Sequence, residues 1–461
     1  MSSTAAAPPA RKPGFIDLMK ALGERHVRIM LLLGFSSGLP FLLSVGTLGA
    51  WLTTAQIDIK TVGMMSLVNF AYSFKFLWAP LVDNMPLPVL SRLLGRRRAW
   101  MLLSQAGIIA ALIGISHGDP AVDLGSMAMF AVLLAFSSSV QDIAIDAWRI
   151  EVAPVEQQAL MAGVTNLGYR LGLLAGGAGA LFMATRPSWG GAYTIMACAM
   201  GIGVLGALLA QRTPEPKGPV AGDETIAAAA ARTGLSGRGA RIAQFLYRAI
   251  VAPFVDFFAR HGVVTALLIL LLISLYSISD RVMGVMASPF YIRQGFTTDE
   301  IAIVSKTYGV WIGIAGSLLG GLAAMRLGPQ RTLVLGCLLG SASNLAFAWL
   351  TTQGHDLNAF VIAITFENAL GGFSGTALIA FISSLTSIKF SGTQYALFSS
   401  FAAMPGKFAG AASGYLVESL GGFYWFFILT AAMGIPALIL VLLLMWWKPS
   451  IAVPKHEAIP V

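Results

Sequence analysis

Eight charged side chains stand inside runs of apolar residues: Lys75, Asp142, Asp146, Arg170, Asp280, Arg281, Glu367 and Lys407. A charge at the centre of a bilayer costs a few kcal/mol even on insertion scales, so such residues face water, a partner or cargo. Asp142 and Asp146 are four residues apart and share one helical face, about one turn from each other. Carboxylates so placed repel one another when both are ionised, and the pair can hold a proton near neutral pH. That is the chemistry of proton coupling, although a structural charge network with Lys75 and Arg170 would use the same residues. A basic side chain from the second half, Lys407 for example, could modulate the pair. Asp280 and Arg281 are adjacent, hence roughly 100° apart around a helix, so either could be functional with the other as its structural partner. Glu367 opens a stretch with glycines at 371, 372 and 375, where a polar group meets a flexible backbone. Lys75, Arg170 and Lys407 suit pairing with acids or receiving an anionic cargo. Proton coupling is thus expected among Asp142, Asp146, Glu367 and Asp280. Cargo contact is expected at Lys75, Arg170, Arg281 and Lys407, with Tyr72, Trp51, Gln141 and Tyr169 beside them.

Nothing comparable points to an enzyme. The histidines His26, His117, His261, His355 and His456 fall in loops, termini or edges of apolar runs, and no pair has metal-ligand spacing on a helix. No nucleophile elbow or phosphate loop stands between a strand and a helix, and the glycine-rich Gly172–Gly179 stretch lies within an apolar run. Cys198 and Cys337 also lie in apolar runs, so neither a disulfide framework nor a thiolate metal site is implied. No catalytic residue, metal or cofactor is expected.

The elements that carry these charges follow from composition. The chain has 461 residues, 56% hydrophobic and 11% charged, against about 25% charged in soluble domains. Apolar runs of membrane-crossing length recur along it, continuous and not alternating, which predicts an all-α polytopic protein and not a barrel. Twelve spans are expected at about 29–52, 62–82, 99–117, 122–148, 158–184, 190–210, 263–291, 301–325, 331–351, 357–385, 393–417 and 421–447. This divides the chain into a tail (1–28), a six-helix bundle (29–210), a linker (211–262), a second six-helix bundle (263–447) and a second tail (448–461). Residues 241–260 pair apolar and basic positions at helical spacing, as an amphipathic helix on the membrane surface or an extension of the seventh span would.

The net charge of +9 has a topological source. Basic residues crowd the first tail, the loop with Arg92, Arg96, Arg97 and Arg98, and the linker. Alternate loops hold only Lys60, Arg186 and Arg293. By the positive-inside rule, both termini and the linker are expected in the cytoplasm, and a nucleic-acid role is excluded. No cleavable signal peptide is expected. The halves also echo one another. Gln157-Gln158-Ala159-Leu160 opens the fifth span and Gln394-Tyr395-Ala396-Leu397 the eleventh. Glycines follow at 168, 172 and 176, and at 406, 410 and 414. Such ladders let helix backbones approach closely in lipid, and paired six-helix halves are a transporter architecture.

Asp83 followed by Gly95-Arg96-Arg97-Arg98 resembles the major facilitator signature, with a longer spacing and a Pro-rich insert. The second half keeps a worn copy at Gly321–Gly328, with Arg326 and Arg331. That resemblance implies a gating role for Asp83, Arg96, Arg97 and Arg98. Longer stretches extend it: FSSGLPFLLSVGTLGAWL (35–52), FKFLWAPLVD (74–83), GRRRAW (95–100), QDIAIDAW (141–148), LGYRLGLLAGG (167–177), ENALGGFSGTA (367–377) and TQYALFSS (393–400). Together they resemble the AmpG permeases of Gram-negative bacteria, over nearly the whole chain. The resemblance implies a major facilitator fold of two pseudo-symmetric six-helix bundles in the inner membrane. It also implies proton-driven import of N-acetylglucosaminyl-1,6-anhydro-N-acetylmuramyl peptides for cell-wall recycling, which bears on β-lactamase induction. By motif it favours Asp142, Asp146 and Glu367. Some members extend well beyond the twelfth span, which this chain does not, so a related permease for a siderophore or acetyl-coenzyme A is the alternative. A non-transporting assembly factor should lack the buried charges of spans four and seven, and an integral membrane enzyme should show interfacial His or Asp clusters.

Overall fold

The computed structural model describes residues 23–44, 46–57, 68, 72, 74–153, 155–184, 188–213, 247, 251–297 and 300–447. Among these, every regular element is a helix, since a peptide group in lipid must find its hydrogen-bond partner within its own segment. The helices of the spans are α1 Arg25–Leu52, α2 Ala79–Asn84, α3 Arg96–Ser116, α4 Leu124–Val152, α5 Val155–Leu174 and α6 Trp189–Leu209. The second half contributes α7 Val263–Ala287, α8 Gly309–Leu327, α9 Pro329–Leu350, α10 Leu357–Leu385, α11 Ser391–Ala411 and α12 Phe423–Trp447. About half of the second span, residues 1–22 of the first tail, the second tail and most of the linker lie outside the described residues.

Among the described residues, ten helices are long and apolar enough to cross a membrane. α11 has the length but not the hydropathy, because Ser391, Thr393, Gln394, Ser399, Ser400 and Lys407 dilute it. Leu267, Leu338, Ile362 and Leu442 are exposed, a surface suited to lipid contact and not to water. Inside, each half holds two large apolar clusters. Trp148 centres one in the first half and Tyr193 the other. In the second half Phe398 centres one, and the other is a knot of Phe290, Phe347, Phe360, Phe426 and Phe427.

The glycine ladders behave differently in the two halves. A Cβ at Gly168, Gly172 or Gly176 would collide with the carbonyl oxygens of Leu31, Phe35 and Leu39, so α5 lies backbone to backbone on α1. Thr47 Oγ1 donates to the Gly176 carbonyl at 2.7 Å, where α5 loosens into a π-helical turn over Ala175–Gly179. In α11, by contrast, Gly406 makes room for the Arg281 side chain and Gly410 meets Val285, while nothing lies within 4 Å of a Cβ at Gly414. The second half places its close backbone contact between α8 and α10, through Gly316, Gly320 and Gly372.

Gly95 precedes α3 with φ of 86° and Gly328 precedes α9 with φ of 84°. Both values favour glycine, and they mark equivalent turns of the halves. In the linker, Ala252–His261 forms a helix broken from α7 by Gly262, with φ of 77°. It is therefore not an extension of the seventh span. Its Phe257 is buried against Phe398, with ring centroids 4.9 Å apart. Its Arg260 donates to the Leu385 carbonyl at 3.0 Å and to Gln394 Oε1 at 3.1 Å. The helix is thus docked on the protein's own α10 and α11, while Phe254 and Val255 stay exposed.

Candidate functional site

The end of the molecule that carries Arg96–Arg98, here the basic end, joins the halves through buried charge. Asp83 at the end of the second span, Arg97 in the first turn of α3 and Glu151 in the last turn of α4 have side chains only 1% exposed. Arg97 donates to Glu151 Oε1 from Nε at 2.9 Å and from Nη2 at 2.5 Å, and to Asp83 Oδ1 at 2.7 Å. The second half completes the joint. Arg97 also donates to Ser391 Oγ at 2.8 Å, and that hydroxyl donates to Glu151 at 2.6 Å. The Asp83 carboxylate accepts from the backbone N–H of Gly392 at 3.1 Å and of Thr393 at 2.5 Å, and from Thr393 Oγ1 at 2.6 Å. The N-cap residue of α11, Phe390, supplies no capping side chain. Asp83 caps that helix across the interface, where the N-terminal end of the macrodipole favours an anion. A Cβ at Gly392 would lie 2.7 Å from Asp83 Oδ1, so only glycine leaves room for this approach.

Arg96 bonds the Asp83 backbone carbonyl and lies 3.9 Å from Glu151, adding a second cation at the rim of the joint. Arg98 turns the other way and donates to the carbonyls of Ala207 at 3.2 Å and Leu208 at 2.6 Å, fastening α3 to the end of α6. Three of the four expected gating residues therefore meet at the joint and the fourth does not. Glu151, Ser391 and Thr393 were missed by motif reading. Glu151 had a signal, as an acid at the expected edge of α4 opposite an arginine triplet.

Above the joint is a cavity of about 260 Å³, lined by Asp142, Asp146 and Arg149 of α4, Tyr169 of α5, and Ile379 and Tyr395 from the second half. The two acids do share a face, but their surroundings differ. Asp146 is bracketed by cations, with Lys75 Nζ at 3.9 Å and Arg149 Nη2 at 3.6 Å. Asp142 sits one turn deeper, half-buried beside Ser37 and Tyr169. Arg149, overlooked in the sequence, is the hinge of this arrangement. Its guanidinium is 1% exposed, donates to Ser383 Oγ of α10 at 2.9 Å and to Gln158 Oε1 at 3.2 Å, and stacks over the Tyr395 ring at 5.1 Å. The Asp146 carboxylate is thus tied through one side chain to α10 and α11.

The remaining candidates separate into three groups. Arg170 reaches across to α8, donating to the Val310 carbonyl at 3.4 Å, and is within electrostatic reach of Glu367 on α10. Asp280 lies near Tyr276 and the backbone at Gly340, while Arg281 lies across Gly406, next to Lys407. Both cations are exposed at mid-span, and Arg281 is an electrostatic neighbour of Lys407. Tyr72 meets Phe41 edge-on at 5.5 Å, and Phe41 lies 6.5 Å from Tyr169, an aromatic wall close to Asp142. Gln141 and Trp51 do not join it. Gln141 is fully buried and donates to the Ser36 carbonyl at 2.9 Å, and Trp51 stacks on Trp189 at 5.9 Å within the core. Among the described residues no group of His, Cys, Asp and Glu has the arrangement of a metal site.

The Major Facilitator Superfamily model matches residues 30–351 and 269–459. The chain is 38% identical to an anhydromuropeptide permease of Escherichia coli strain K12, over 90% of its own length and 78% of the relative's. It is 34% identical to a Rickettsia felis protein bearing the name AmpG 4, over 90% of this chain and 95% of that one. Among solved structures it is similar to the proton:xylose symporter XylE, with a TM-score of 0.64 and 12% identity over 92% of this chain and 95% of that chain. It is also similar to the transporter FucP in its outward conformation, with a TM-score of 0.63 and 12% identity over 91% and 99%. At such identity these structures speak to the fold alone, whereas the two relatives and the family model reach further. The chain belongs to the AmpG permease family of the major facilitator superfamily.

Proposed function

We propose that this protein imports N-acetylglucosaminyl-1,6-anhydro-N-acetylmuramyl peptides from periplasm to cytoplasm by proton symport across the inner membrane, for peptidoglycan recycling. The observation that carries the reading is a charged cavity above a buried ionic joint between the two halves. Alternating access needs such a joint, formed in one state and broken in the other. By the distribution of basic residues the joined end is cytoplasmic, so the cavity would receive cargo from the periplasm. The anhydromuropeptide permease of Escherichia coli supports this cargo.

In this reading the sugar rings lie against Phe41, Tyr72 and Tyr169, whose faces suit stacking. The peptide carboxylates face Arg170, Arg281 and Lys407, whereas Lys75 is engaged by Asp146. Proton binding at Asp142 and Asp146 would discharge the acid that holds Arg149. Arg149 would then give up its place against Ser383 and Tyr395, loosening the closed end. The deciding experiment is uptake into inverted and right-side-out vesicles of labelled anhydromuropeptide, free disaccharide, a siderophore and acetyl-coenzyme A. Muropeptide accumulation that collapses with a protonophore is expected, and accumulation of another cargo in its place would overturn the assignment.

A further inference from the structure

A second cluster of cations lies at the basic end, away from the joint. Arg25 Nη2 donates to the Leu209 carbonyl at 3.0 Å, next to the Ala207 and Leu208 carbonyls held by Arg98. These are the terminal acceptors of α6, and two guanidinia on consecutive carbonyls come close together. Arg212 adds a third, since its side chain lies 3.4 Å from a Cβ built at Gly95, beside the start of α3. Arg28 adds a fourth, on the outer face of α1, one turn from Arg25. The nearby acid Glu24 is engaged elsewhere, accepting from Gln157 at 3.1 Å and lying 3.2 Å from His26.

Helix capping accounts for Arg25 and Arg98, because cations suit the C-terminal end of the helix dipole. It does not account for Arg28. That side chain is exposed and has no hydrogen bond or ion pair among the described residues. It lines, with Arg25, Ile29, Leu32 and Leu209, a cavity of about 400 Å³. The cavity has two arginines at one side and aliphatic side chains at the other. It also lies where α1 begins and α6 ends, at the boundary of two apolar spans. Below it, Ile202, Leu205 and Leu208 leave α6 apolar and exposed. A ligand matching this sequence of surfaces has a phosphate at one end and a long hydrocarbon at the other.

We infer that the cavity between α1 and α6 binds an anionic phospholipid, its phosphodiester held by Arg28 and Arg25 and an acyl chain laid along Leu32, Leu209 and Leu205. Guanidinium meets phosphate oxygens through two parallel N–H donors, and the apolar wall excludes a soluble anion from the rest of the site. A bound lipid would also clamp α1 to α6, on the far side of the first bundle from the seam with the second.

Native mass spectrometry of the full chain tests this, with phosphatidylglycerol and phosphatidylcholine as probes and inorganic phosphate as competitor. The unmodified protein is expected to retain phosphatidylglycerol preferentially. Each arginine near a membrane surface contributes about 1 kcal/mol toward anionic lipid, so Arg28→Gln should lower the preference about fivefold and Arg28→Glu about thirtyfold. Arg28→Lys should keep most of it. Because the Arg28 side chain holds no bond among the described residues, Arg28→Gln should melt at the unmodified temperature once both are stripped of lipid in neutral detergent. A preference equal in the Arg28→Glu variant and the unmodified protein, or none in either, overturns the site. Displacement by inorganic phosphate would reassign it to a soluble anion. A lowered melting temperature for Arg28→Gln would make Arg28 a structural residue instead.

Discussion

Within the cavity, a change of one atom tests the coupling role proposed for Asp142 and Asp146. Asp142→Asn and Asp146→Asn keep shape and remove the titratable charge. Either is expected to abolish proton-driven accumulation of cargo while leaving counterflow exchange measurable. A variant that still accumulates cargo with a normal dependence on external pH would show that its carboxylate is not the coupling site, and Glu367 would be next. The two should differ in a second readout. Asp146 pairs with Lys75 and Arg149, so Asp146→Asn removes both ion pairs, whereas Asp142→Asn leaves both in place. Removing one partner of a buried pair costs roughly 3–5 kcal/mol, discounted here because Asp146 is partly exposed. A lower melting temperature is therefore expected for Asp146→Asn than for Asp142→Asn. For cargo, Arg170→Ala should weaken uptake of peptide-bearing muropeptide more than uptake of the bare disaccharide. Equal loss for both would assign Arg170 to the α5–α8 seam.

At the scale of helices, close approach in lipid is set by what is missing from the side chain. The α5 ladder lies on the carbonyls of α1, so Gly172→Val forces the pair apart. Overpacking of this kind costs about 1–3 kcal/mol, and a clear fall in melting temperature is expected. Gly414→Ala meets nothing within 4 Å and should melt as the unmodified protein does. Differential scanning fluorimetry of the two variants side by side checks the pair. If Gly414→Ala were the more damaging, the helix contacts described above would be wrong.

For the whole molecule the decisive contact is the one between Asp83, Arg97, Glu151 and the start of α11. Asp83→Asn weakens the cap on α11, and Arg97→Gln leaves two buried carboxylates without their guanidinium. Both are expected to shift the protein toward states open at the basic end. Spin labels placed on α4 and α11 near that end should show a longer distance population, larger for Arg97→Gln. An unchanged distance distribution in both variants would mean that the joint does not hold the halves together. Orientation has its own test: a reporter active only in the periplasm, fused after Gly218, should be silent.

The sequence by itself determined the fold class, the span pattern and the acid pair. A bilayer forces each crossing segment to satisfy its own backbone and to be apolar for about twenty residues, so the signal is local. The i,i+4 spacing of Asp142 and Asp146 is local too. α11 shows where locality ends, since its polar residues lower its hydropathy because they serve the joint and the cavity. Only the tertiary structure decided which charges meet. Arg149 and Ser383 are 234 residues apart, and Asp83 and Gly392 are 309 apart. No periodicity links such positions. The structure also separated glycine ladders that look alike in sequence, one against a backbone and one beside an arginine. Contact in lipid depends on which faces of two helices are brought together, and a linear pattern does not specify the partner.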